Sequence, residues 1–467
     1  MISKESLIKI SDVVWEIPKT YRPDMLVPAR IFATEKMLTE VFNDRSLEQL
    51  VNVATLRGIQ GAALAMPDAH EGYGFPIGGV AATLYPEGVI SPGGIGYDIN
   101  CGVRLIRSQL KYDEIKDHLA SLAREIYHWV PSGVGEGGAL KLSQPDMERV
   151  LRTGVQWMVK NGFATESDVR HTESHGTLDN ADPDQVSDQA KKRGFDQLGT
   201  IGAGNHFAEV DIVDEVFDTQ AAGALGLWKG QAVVMVHCGS RGLGHQVATD
   251  HIRIMMSAMP RYDIQLPDRE LACVPFSSPE GTNYFNAMAA AANFAWANRQ
   301  YITHLIRQAW DREFGAAGGG LSLVYDVAHN MAKIETHEID GKKQKVIMHR
   351  KGATRAFGPG NPELADEYRA VGQPVLIPGS MGTASYVLVG TERGAKDSFS
   401  TSCHGAGRVM SRAAAKRSIH GRALRDELLQ AGIHIQTGSV SGLAEEAPQA
   451  YKDVHDVVDV VHTAGIA

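Results

Sequence analysis

Residues 91–104 read SPGGIGYDINCGVR: four glycines surround one aspartate, Asp98, and one cysteine, Cys101, just after an apolar run. Glycine serves tight turns and lets backbone approach a ligand closely. A cysteine three positions after an aspartate in such a turn has three readings. It is a small packed hydrophobe, a reactive thiol, or part of a metal site. Spacing within the turn does not choose among them, so the rest of the chain must.

Four further turn-like segments carry a metal-capable or nucleophilic residue. They are GAGNHFAE at 202–209, with Asn205, His206 and Glu209; VHCGSRG at 236–242, with His237 and Arg241; DVAHNMAKIE at 326–335, with His329 and Asn330; and TSCHGAGR at 401–408, with His404 and Arg408. A lone histidine at the end of a strand is more often a packed residue than a ligand. Its recurrence on separate segments, each beside glycine, asparagine or phenylalanine, argues against independent structural roles. Imidazole, thiolate and carboxylate form the usual ligand set for divalent metals. A metal strips the thiol proton, and the sulfur can then bridge two ions. Cys238 and Cys403 sit beside His237 and His404 and point away from them if those segments are extended. With Cys273 they read as structural.

Glycine mixed with Ser, Thr or Arg also marks phosphate contacts, because small residues expose backbone N–H donors. PGSMGTAS (378–385), HGAGR (404–408), SPGGIG (91–96) and GSRG (239–242) fit that pattern. HRKGATRA (349–356) groups His349, Arg350, Lys351 and Arg355, as a solvated charged loop or as a polyphosphate or nucleic-acid contact. No G-x-x-x-x-G-K-[ST] occurs, so no P-loop is expected. GVGEGG (133–138) matches a dinucleotide pattern but follows a Pro-Ser turn rather than a strand, which argues against a dinucleotide site.

The 467 residues carry 46 Lys+Arg against 55 Asp+Glu, a net charge of −9, which disfavours indiscriminate polyanion binding but permits a local basic patch. Four cysteines in so long a chain make no disulfide framework. The opening MISKESLIKISDVVWEIP lacks the apolar core of a signal peptide, and no run approaches the roughly 18 apolar residues of a membrane span. These features predict a cytoplasmic protein of a reducing compartment, with no membrane partner. Apolar periodicity predicts helices over 112–130, 146–160, 283–314 and 408–431, and strands at 231–238, 321–329, 345–349, 374–379 and 385–390. Residues 165–195, polar and Asp-rich, read as an exposed or mobile loop. The expected architecture is a mixed α/β fold in one interlocked domain spanning 1–467.

Taken together and in order, the motifs SPGGIGYDINCGVR, GTIGAGNHFAEV, VHCGSRGLGH, PGSMGTASYVLVG and SFSTSCHGAGR, with PDAHEGYGFPIGGVAA (67–82) and EEAPQAYKD (445–453), resemble the RtcB family of RNA-splicing ligases. The resemblance implies an α/β fold with central sheets flanked by helices. It implies joining of an RNA 3′-phosphate or 2′,3′-cyclic phosphate to a 5′-hydroxyl, in tRNA splicing or RNA repair, with GTP and two Mn2+ ions as cofactors and a guanylyl-histidine intermediate. One metal would be held by Asp98, Cys101 and His206, the other by Cys101, His237 and His329, with His404 as the catalytic nucleophile. Nucleotide contacts would come from Asn205, His206, Phe207, Ala208, Glu209, His329, Asn330, Pro378, Gly379, Ser380, Met381, Ser385, His404, Gly405, Ala406, Gly407 and Tyr451. Arg241 and Arg408 would suit RNA or triphosphate phosphates, and Asp68 and His70 lie in a motif near the site. The partners would be RNA and GTP, with the need for an archease-like activator left open by the sequence and a monomer as the default.

Two departures bear on this. The family pattern ends in a basic tail whose lysine helps bind guanylate, whereas this sequence ends VVHTAGIA. By residue chemistry alone, a Cys/His set favours zinc over manganese. Two alternatives use the same ligands: a ligation-deficient paralogue that binds RNA ends, and a dimetal phosphoesterase that needs neither GTP nor His404.

Overall fold

A computed structural model describes residues 2–133 and 135–467; Val134, inside the GVGEGG stretch, lies outside the described residues. The strand Gly102–Lys111 begins directly after Cys101 and pairs antiparallel with Gln231–Cys238 on one side and Ser322–Ala328 on the other. Gln231–Cys238, rich in valine and buried at every position, also pairs antiparallel with Phe207–Ile212. Neighbouring strands run in opposite directions. The first residues of Gly102–Lys111 and Phe207–Ile212 and the last residues of Gln231–Cys238 and Ser322–Ala328 therefore share one end of this four-stranded sheet. The register fixes the match: Gly102 faces Cys238 and Ala328, and Phe207 faces His237.

A second sheet of seven strands runs Ile8–Ser11, Val14–Ile17, Ala29–Phe32, Ile59–His70, Ile77–Leu84, Lys342–Lys351, Asn330–Ile339. Every neighbouring pair is antiparallel except Ala29–Phe32 with Ile59–His70. His329 is the single residue between Ser322–Ala328 in one sheet and Asn330–Ile339 in the other, so it stands where the sheets meet. Two-stranded ribbons, Ala353–Arg355 with Thr401–Cys403 and Pro374–Ile377 with Tyr386–Val389, carry His404 and the 378–385 turn to the same region.

The helix Pro279–Phe314 runs through the core, about 54 Å long at 1.5 Å per residue. The Ser278 hydroxyl accepts from the Gly281 N–H, Pro279 opens the first turn, and Gly315 at φ 55° ends the helix. Alanines at 287, 289–292, 295 and 297 leave little side-chain bulk, so neighbouring elements pack closely along it. The predicted strands all form. Among the described residues no helix is long and apolar enough to cross a membrane.

The structure corrects several expectations. The 112–130 helix is broken into Tyr112–Ile115, a 3-10 turn and Leu119–Trp129, although Ile115, Leu122, Ile126 and Val130 are buried as its periodicity implied. The 146–160 helix is split at Gly154, at φ 50°, where a Cβ would meet the Gly176 carbonyl oxygen at 2.2 Å. The 408–431 helix is two, Arg412–Ser418 and Gly421–Gln430, with Arg408 outside both. Residues 165–195 are not an exposed loop: Asp168, His171, Thr172 and Glu173 are buried and ion-paired or hydrogen-bonded. HRKGATRA is neither a solvated loop nor an open phosphate contact. It is buried strand in which Arg350 forks onto Glu335, the Lys351 ammonium donates to the Tyr73 and Phe75 carbonyls, and Arg355 pairs with Glu363.

Candidate metal centre and nucleophile

The shared end of the four-stranded sheet gathers the side chains of all four turns. The Cys101 sulfur lies 3.3 Å from His206 Nε2 and 3.2 Å from His237 Nε2, and His237 Nε2 lies 3.3 Å from His329 Nε2. Asp98 Oδ2 is 2.9 Å from His206 Nε2. Two donor sets result, Asp98–Cys101–His206 and Cys101–His237–His329, each with ligand atoms within 4.8 Å of one another and sharing the Cys101 sulfur. The His404 ring stacks at a tilt on His329, centroids 4.7 Å apart, which places it against the second set.

Buried backbone and charge hold this geometry. Asn100, at φ 52°, turns the chain into Cys101, and its side chain donates to the Ala292 carbonyl in the core helix. Arg299 of the same helix, fully buried, donates to the carbonyls of Asn100 and Cys238, the residues just before Cys101 and just after His237. It forks onto Asp326, which Arg104 also contacts. The Ala328 N–H, just before His329, donates to Glu173, a carboxylate from the segment expected to be a loop. Asn330 bridges two turns, donating to the Asp98 carbonyl and accepting from the Gly352 N–H. The Ser240 N–H and hydroxyl orient Asp98 through its other oxygen.

Electrostatics suit cation binding. Burial and the facing His206 and His404 rings hold His237 well below the ordinary histidine range, and burial with His404 and His237 does the same to His329. Both are therefore neutral imidazoles, the ligating form. Burial, aided by the Asp98 charge, pushes the Cys101 thiol up to about 12. Against the opposing effect of burial, the hydrogen bond and charge of His206 keep Asp98 well below the usual carboxylate range. A buried thiol ionises only against positive charge, which a cation among these donors would supply. The donor set, its convergence and its neutral imidazoles fit a divalent metal.

His404 has its own support. Asp68, fully buried at the end of Ile59–His70, accepts from the His404 backbone N–H at 3.0 Å and contacts its Nδ1 at 2.5 Å through the same oxygen. A carboxylate on Nδ1 holds the proton there and leaves Nε2 with a free lone pair. Gly407, at φ 76°, lets this turn run against the Asp68 backbone, where a Cβ would sit 2.3 Å from the Asp68 oxygen.

Other predicted residues fall nearby. Arg241, at φ 56°, donates to Thr200 and to the Gly133 carbonyl; Gly202 separates it from His206, since a Cβ there would meet both side chains. Asn205, Phe207, Ala208 and Glu209 enter or lie on the half-buried edge strand beside His237. The Pro378 carbonyl accepts from the Ala406 N–H, and the Ser385 hydroxyl accepts from the Gly379 N–H, so the 378–385 turn borders the 404–407 turn. Ser380 and Met381 are half-buried in that turn. Arg408 donates to Tyr451, Glu446 and the Glu445 carbonyl, so its guanidinium is engaged within the protein. Cys238, read as structural, also touches the site: its sulfur is 3.7 Å from His206 Nδ1. Sequence reasoning missed Arg299 and Glu173. No local signal marks either, because each reaches the site from a distant helix or loop.

The family model described as "tRNA-splicing ligase RtcB" matches residues 49–467. Proteins named tRNA-splicing ligase RtcB from Archaeoglobus fulgidus and Thermococcus kodakarensis are 53% and 55% identical to this chain over 463 residues, covering 99% of it and 96% of each relative. The protein of that name from Nanoarchaeum equitans is 51% identical over 464 residues, with the same coverage. The chain belongs to the RtcB family of tRNA-splicing ligases.

Proposed function

We propose that this protein joins RNA 3′-phosphate or 2′,3′-cyclic phosphate ends to 5′-hydroxyl ends, using GTP and passing through guanylate carried on His404. The observation that carries the reading is the convergence of five metal-capable side chains beside a histidine whose Nδ1 is held by a buried carboxylate. Metal binding alone needs no such histidine.

In this reading Asp98, Cys101 and His206 would hold one divalent cation and Cys101, His237 and His329 a second, and bound there they would supply charge neutralisation for the phosphates. Asp68 keeps the proton on Nδ1, and the His404 Nε2 lone pair attacks the α-phosphorus of GTP. An N–P bond forms, the bond to the β-phosphate oxygen breaks, and pyrophosphate leaves. The RNA 3′-phosphate oxygen then attacks the same phosphorus, freeing His404 and leaving an RNA–guanylate anhydride. The 5′-hydroxyl attacks the 3′-phosphorus, GMP departs, and the phosphodiester is complete. A cyclic end must first be opened by water. Asn205, Phe207, Glu209, Asn330, Ser385 and the 404–407 turn form the guanylate pocket, and Arg241 lies where a phosphate would approach His206. The protein acts as one domain and as a monomer.

The test is transfer of label from α-labelled GTP to protein in the presence of Mn2+. The bond should survive alkali and break in acid, as phosphoramidates do, and His404→Ala should carry no label. Label persisting in that variant would overturn the nucleophile assignment. Repeating the assay with Zn2+ separates the two metals that the donor set allows.

A further inference from the structure

Beside Asp98, on the more open side of the metal centre, three aromatic rings form a ladder. Tyr97 lies parallel to His245, ring centroids 5.9 Å apart and planes 18° apart; Tyr73 meets Tyr97 edge-on at 5.4 Å and 62°. His245 is exposed, and Tyr97 and Tyr73 are half-buried. By contrast, His237 and His329 are only 3% exposed, so the centre is closed on their side. The ladder is not core packing: its end ring is open to solvent. It is also not isolated. Tyr97 precedes Asp98, and His245 sits in the helix Arg241–Ala258, whose preceding Ser240 orients Asp98.

We propose that His245, backed by Tyr97, is a stacking platform for the unpaired base of the nucleotide that carries the RNA 3′-phosphate. The inference rests on the ligase reading above. An RNA end is single-stranded, and proteins hold such ends by stacking splayed bases on aromatic rings beside positive charge. Both parts are present. Arg241 opens the helix that carries His245, and its buried guanidinium is held by Thr200 and the Gly133 carbonyl. Arg193 donates to Gln246, next to His245. A base seated on this ladder brings its own phosphate to the Asp98 and His206 side of the metal centre. Tyr73 braces the ladder from the connection between Ile59–His70 and Ile77–Leu84: its backbone carbonyl accepts from Lys351, and the N–H of the following Gly74 donates to Glu270. Stacking is tolerant of base identity, so the platform positions an end without demanding a sequence.

The test measures binding and joining with a short 3′-phosphate RNA, a matched RNA abasic at the 3′-terminal nucleotide, and a third abasic at the 5′-terminal nucleotide of the other strand. For wild-type protein the 3′-abasic change should raise Kd and KM about tenfold, the scale of one stacked base, and the 5′-abasic change should not. His245→Ala should show the same loss with intact RNA and no further loss with the 3′-abasic RNA. His245→Phe, which keeps a ring but not the imidazole, should stay within about twofold of wild type. Label from GTP on His404 reports separately on the ligase reading. If wild type takes label and joins ends but ignores the 3′-abasic change, or if His245→Phe fails as badly as His245→Ala, the platform is wrong and the ligase reading stands. If wild type neither takes label nor joins ends, the reading beneath it fails, and the platform falls with it.

Discussion

Two buried polar clusters lie a few residues apart in this protein, and they are built in opposite ways. In the scaffold cluster, Arg104 and Arg299 share the Asp326 carboxylate, and Arg307 forks onto Asp168, so cations and anions meet in pairs. In the metal cluster, the Cys101 sulfur and the ring nitrogens of His206, His237 and His329 face one another at 3.2–3.3 Å. Like meets like there, with Asp98 at the margin. The first arrangement pairs its charges internally. The second brings together donors of the kind that ligate divalent cations. Arg299 joins the clusters, since its guanidinium binds both Asp326 and the carbonyls that flank Cys101 and His237. The charged pairs are the frame, and the unpaired donors are what the frame presents.

Substitutions should separate frame from site. The largest functional effect belongs to His404→Ala, expected to reduce joining by more than about a thousandfold at a stability cost of only about 1–3 kcal/mol, that of taking one partner from the buried Asp68 carboxylate. Parallel ligation assays and melting curves check both halves. Cys101→Ala should remove bound metal at both donor sets, read by elemental analysis, and leave the metal-free protein as stable as its parent within about 1 kcal/mol, because a small apolar side chain replaces a buried thiol. Metal content unchanged in that variant would return Cys101 to a packing role. Asp326→Ala should do the reverse. It strands two buried guanidiniums and should cost about 3–5 kcal/mol of stability by denaturant unfolding, and it frees Arg299, which holds the carbonyls beside Cys101 and His237, so joining falls with stability while Cys101 stays in place.

A smaller effect is pH-dependent. Against its burial, the Arg307 fork holds the Asp168 carboxyl down at about 2. A carboxylate with a depressed folded value stabilises fully above its unfolded value, near 4, and the contribution is lost as pH falls from about 4 to about 2. Asp168→Asn should therefore cost about 2 kcal/mol at neutral pH and flatten that part of the acid-unfolding curve. An unchanged acid limb would mean that the fork does not stabilise the frame.

The turns that bring these donors together stood out in the sequence as glycine-rich motifs, each carrying a metal-capable residue, while their grouping into two sets came from the family resemblance. The strands carrying those turns were readable where β-branched residues run unbroken, as at 231–238. The frame was not readable. Asp68 and His404 meet across 336 residues, and Asp168 and Glu173 sit in a stretch whose polarity resembles a loop. HRKGATRA looked solvent-facing because its charges find their partners elsewhere: Glu335, Glu363 and the carbonyls of Tyr73 and Phe75. Helix breaks at Gly154 and before Gly421 follow backbone conformation and packing that apolar periodicity does not encode.

The central claim is that five distant side chains form two cation sites, joined at Cys101, beside His404. Anomalous diffraction at the manganese absorption edge, on crystals grown with Mn2+, tests it most directly. The account predicts two peaks, one bounded by Asp98, Cys101 and His206 and the other by Cys101, His237 and His329. Density without peaks there, or manganese held by other residues, would contradict it.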